Sequence, residues 1–116
     1  MDKIVAKIVA LGVPGLVLLA VMSLSGYAGA VALTTGLAML GGPLGMLGGI
    51  AVLGLLVVIS HALAEYGFDK LFPAVIEGLL KKGVSREEME SNIRKYPLGD
   101  DLRNKLLKLV DDYFKR

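Results

Sequence analysis

The chain offers few residues for chemistry. Its only histidine, His61, stands four positions before Glu65, and it has no cysteine. Residues four apart share a helix face, so imidazole and carboxylate would lie side by side where a long apolar run ends. Such a pair suits a pH-responsive group or the mouth of a pore. One imidazole and one carboxylate make an incomplete metal site unless subunits share it. Thr34 and Thr35 are expected to bond back to helix carbonyls. The acidic residues Glu87, Glu88, Glu90, Asp100, Asp101, Asp111 and Asp112 fall on expected helix starts or exposed faces. No P-loop, nucleophile elbow or metal-ligand cluster is present, and no acid–base constellation suggests catalysis. The expectation is a protein that is not an enzyme and needs no cofactor.

The elements that carry these residues are set by an uneven charge distribution. Of the Asp, Glu, Lys and Arg residues, only Asp2, Lys3 and Lys7 precede Glu65, so Ile8 through Ala64 carries no formal charge. Hydrophobic residues make up 54% of the chain, and its mean hydropathy is +0.64. Runs of about 18 or more apolar residues argue for spanning helices. A first span is expected over about residues 4–25, with Gly12, Pro14 and Gly15 weakening it and Pro14 kinking it. A cleavable signal, with an Ala28-Gly29-Ala30 site, competes with that span. It fits less well, since the apolar region is long and another membrane-grade stretch follows.

Residues 28–64 are too long for one crossing. Gly42 and Pro43 mark a helix break, because proline lacks an amide donor and suits the first turn of a new helix. The expected division is a short re-entrant or interfacial helix over about 28–40 and a full span over about 43–64. Two full crossings with Lys3 and Lys7 at one end put both termini in the cytoplasm by the positive-inside rule. Three crossings, with the tail outside, is the alternative topology.

The glycines are the most informative motif. Gly41, Gly45 and Gly49 recur every fourth residue, Gly48 and Gly54 add small positions, and Ala28, Ala32 and Gly36 repeat the spacing upstream. Small residues on one face let two helix backbones approach closely, which drives association in lipid. This glycine-zipper face suits a homo-oligomer interface, while packing of the hairpin on itself is the plainer alternative.

Beyond Gly67 the pattern turns amphipathic. Leu71, Phe72, Val75, Ile76 and Leu79 recur at helical spacing, and Gly83 ends that helix. Ser85-Arg86-Glu87-Glu88 reads as a capping box, with Val84 and Met89 in staple positions, and Pro97 closes the second helix. A third begins near Asp100-Asp101 and aligns Leu102, Leu106, Leu109 and Tyr113. With eleven basic and ten acidic residues from Glu65 on, this tail is not a nucleic-acid surface.

The sequence therefore predicts an all-α membrane protein. Residues 1–66 form a transmembrane hairpin of two full spans plus a short re-entrant or broken helix, and residues 67–116 form a three-helix cytoplasmic headpiece. The expected partners are the lipid bilayer of an inner membrane, further copies of the chain, and a protein met by the C-terminal helices. The expected function is a self-associating pore-former or holin-like membrane-perturbing effector. The alternative is a membrane-anchored structural or adaptor subunit whose cytoplasmic helices recruit a partner protein.

Overall fold

A computed structural model describes residues 1–24, 43–96 and 98–115, with the helical backbone alone for residues 43–53 and 55. Its described residues form six helices and no strand: α1 (Asp2–Val9), α2 (Val13–Leu24), α3 (Pro43–Tyr66), α4 (Phe68–Lys81), α5 (Arg86–Lys95) and α6 (Asp100–Phe114).

Packing centres on α2. The residues Val13 and Gly15 through Met22 are all buried, and Leu16 through Val21 are fully so. A helix apolar on every side must be surrounded, and α2 touches each of the other five described helices. The inner faces of α4, α5 and α6 supply Leu71, Val75, Ile76, Leu79, Met89, Ile93, Leu106 and Val110 to the same cluster. Residues on both sides of the 66/67 boundary thus share one core. The Cα radius of gyration is 12.9 Å and the longest dimension 38 Å, close to the ~13.4 Å radius of a compact chain this long.

The expectation for the first helix changes. The stretch 4–25 is not one kinked helix but two, bent by 114° between α1 and α2. The break falls at Ala10–Gly12, ahead of Pro14. Leu11 and Gly12 amides donate to the Ile8 and Val9 carbonyls at 3.1 and 2.9 Å, closing α1 in a tight turn, and Gly12 then takes φ +74°. That left-handed conformation suits glycine. Pro14, lacking an amide, sits in the first turn of α2, where no intrahelical donor is required.

Among the described residues, moreover, no single helix is long and apolar enough to cross a membrane; the apolar part of α3 tested there is Leu56–Tyr66. The expected crossings at 4–25 and 43–64 are therefore not established as spans. Pro43 does open α3, whereas the expected short helix over 28–40, and with it Gly36, Gly41 and Gly42, lies outside the described residues.

Local signals in the tail fall at helix ends. Ser85 Oγ accepts the Glu88 amide at 3.1 Å, Asp100 and Asp101 occupy the first turn of α6, and Gly67 at φ +84° turns the chain from α3 into α4.

Candidate functional site

Two close approaches hold the end of α1 at the α1–α2 elbow. Ile8 and Val9 are buried at the end of α1, and each meets a glycine. A Cβ on Gly15 would run into the Ile8 carbonyl oxygen, so α1 crosses α2 at a distance only glycine permits. A Cβ on Gly78 would lie 2.6 Å from Val9 Cγ2, so Gly78 is the seat on α4 into which Val9 fits. Lys3, Ala6, Lys7 and Ala10 are exposed along the outside of α1.

The other predicted residues fall into three groups. His61 and Glu65 are both exposed on α3. Their face also presents Gly54, Val57, Ser60 and Ala64, opposite the buried Leu56, Ile59 and Ala62. Val57 is 56% exposed. No hydrogen bond or ion pair joins His61 to Glu65 among the described contacts. Nor do three His, Asp or Glu side chains gather there as a metal site would require. For the glycine face, Gly45, Gly48 and Gly49 lie on the helical backbone of α3, and their surroundings are outside the described residues. In the tail, Leu71, Phe72, Val75, Ile76, Leu79 and Leu106 are buried, while Leu102, Leu109 and Tyr113 are half-buried at the edge of the core.

Two polar clamps fix the tail helices. Arg86 Nε donates to Glu90 Oε1 at 2.9 Å and its Nη2 to Asp111 Oδ1 at 2.6 Å, while its guanidinium lies 5.2 Å from the Phe114 ring centre. Lys115 Nζ reaches the other Asp111 oxygen at 2.9 Å. Hydrogen bonds from Lys115 and then Arg86 hold the Asp111 carboxyl below its ordinary range. The hydrogen bonds that Arg86 donates to Glu90 and then to Asp111 raise its own pKa further. In the second clamp, Arg103 Nη2 donates to the Tyr96 and Leu98 carbonyls at 3.0 and 2.9 Å. Its Nη1 donates to Asp100 at 3.0 Å. Burial raises the Tyr96 phenol above its usual range beside this linker.

Where α4 meets α6, Phe68, Phe72, Pro73, Leu109 and Tyr113 line a recess of about 130 Å³, with Asp69 and Asp112 also on its wall.

Sequence reasoning missed the role of Gly78. The available signal was a glycine inside an otherwise strong amphipathic helix, which costs about 1 kcal/mol relative to alanine and so marks a close approach. The elbow glycines were visible but read as weak points in a span. No family model, no curated protein and no solved structure matches this chain.

Proposed function

We propose that this chain is a small non-enzymatic protein of the inner membrane that self-associates and perturbs the bilayer. The observation that carries this reading is α2, a helix with no polar face packed against every other described helix. Such a helix is at home in a protein interior or in lipid. It is followed by further charge-free sequence up to Ala64, more apolar length than the tail helices can cover. The four-residue glycine spacing of Gly41, Gly45 and Gly49 supplies a means of association, because close backbone packing rather than hydrophobic burial joins helices in lipid. Both termini lie on the cytoplasmic side in this reading, as Lys3 and Lys7 favour.

The test is dye release from phosphatidylethanolamine/phosphatidylglycerol vesicles by the purified full chain. Release should rise more steeply than linearly with protein concentration, and Gly45→Leu with Gly49→Leu should suppress it. A folded protein that neither binds the vesicles nor releases dye removes the proposal.

The adaptor reading keeps one specific support, the aromatic recess between α4 and α6. A partner side chain filling it would be lost on Tyr113→Ala without any change in dye release.

A further inference from the structure

We infer that the α1–α2 elbow is an insertion hinge: at an anionic bilayer, α1 leaves its seat on Gly78 and the two helices straighten into one membrane-crossing rod. This rests on the membrane-perturbing reading above and names the part of the chain that enters the lipid.

Geometry carries the inference. Taken together, α1 and α2 have the length and composition of a span, yet they are bent by 114°. Straightened, Asp2 to Leu24 would run about 33 Å at 1.5 Å per residue, against a hydrocarbon core of about 30 Å. In water the bent form is favoured for stated reasons. Gly12 accepts the left-handed turn, and Pro14 would leave the Ala10 carbonyl without its donor in a continuous helix. In a bilayer, neighbouring helices make good such a defect.

No charged side chain takes part in the latch. Val9 rests on Gly78 and Ile8 on Gly15, and none of Asp2, Lys3 or Lys7 forms an ion pair or side-chain hydrogen bond among the described contacts. Nothing charged has to be broken for α1 to lift. The exposed Lys3 and Lys7 give α1 the charge that anionic headgroups attract, and their stems can snorkel as the segment enters. For α2 the transfer replaces one apolar surround by another, since lipid tails are as apolar as the leucines it leaves. The vacated faces of α4, α5 and α6 are amphipathic and suited to lie in the interface.

A disulfide across the latch tests this. The Cβ position at Gly78 lies 3.6 Å from Val9 Cβ, within the range a disulfide spans, and the chain has no other cysteine to mispair. In the full-length Val9→Cys/Gly78→Cys protein, oxidation should slow dye release from phosphatidylglycerol-containing vesicles by about tenfold or more, and reduction should restore it. Equal release from both forms overturns the hinge. Wild-type protein that releases no dye is a different failure, of the membrane reading itself, and takes the hinge with it.

A second measurement stands apart from that variant. Spin labels placed by Lys3→Cys and Leu24→Cys should lengthen to a separation of about 32 Å on vesicles. A distance unchanged from water, in protein that has bound and released dye, also overturns the hinge.

Discussion

Replacing Gly15 by alanine should destabilise the protein, although in most helices the same change would strengthen it. Alanine gains about 1 kcal/mol over glycine in a helix interior. At Gly15 that gain is opposed by collision of the new methyl with the Ile8 carbonyl oxygen, a backbone atom that cannot rotate away. Relief requires lifting α1, which disturbs the fully buried Ile8 and unseats Val9 from Gly78. Overpacking of this kind costs about 1–3 kcal/mol, with backbone collisions at the upper end or beyond. A net loss of about 2 kcal/mol follows, or roughly 8 °C in Tm at about 4 °C per kcal/mol for a chain of this size. Gly54→Ala is the internal control, because a Cβ there meets nothing within 4 Å and should raise Tm by about 2–4 °C through helix propensity. Thermal unfolding followed by far-UV circular dichroism reads both. If Gly15→Ala is as stable as the parent, or moves with Gly54→Ala, then α1 does not cross α2 as described and the elbow argument is wrong.

Two further outcomes follow from the tail. Ser85→Ala removes the side-chain acceptor of the Glu88 amide and should cost about 1 kcal/mol, seen as a lower denaturant midpoint with an unchanged slope; threonine at that position should restore most of it. Asp111 has a lowered folded pKa, so its clamp on Arg86 and Lys115 contributes fully above the unfolded carboxylate value of about 3.9 and is lost as pH falls through the lower folded value. The Tm of the parent should therefore drop on acidification, and Asp111→Asn should flatten that part of the curve; an identical acid limb in the two proteins would show that the clamp is not formed in solution.

Legibility differed between the two ends of the chain for a physical reason. In the tail, polar residues mark helix faces and ends. Ser85 and Glu88 announced a cap that forms, Asp100 and Asp101 announced the start of α6, and Leu71, Val75 and Leu79 already shared one face. In the N-terminal half those marks are missing. A lipid interior and a protein interior select the same residues, so an all-apolar α2 reads as a span whether its neighbours are acyl chains or α4, α5 and α6. The bend was hidden likewise, because Gly12, Pro14 and Gly15 are tolerated in membrane helices and their spacing does not disclose an angle. What Val9 rests on required coordinates, since Gly78 lies almost seventy residues away and no pattern links the two.

The uniform apolarity of α2 has one more effect. An amphipathic helix is oriented by its stripe; rotate it and polar groups are buried. Rotating α2 about its axis moves no polar side chain except Ser23 near its C-terminal end, so its hydrophobic pattern barely encodes an azimuth. Shape must supply that information, and along α2 the missing side chain at Gly15 is the keyway: one rotational setting admits the Ile8 carbonyl and the others place a side chain in its path. The leucines and valines of α2 are then interchangeable in kind, within their volumes, while one residue without a side chain indexes the whole helix.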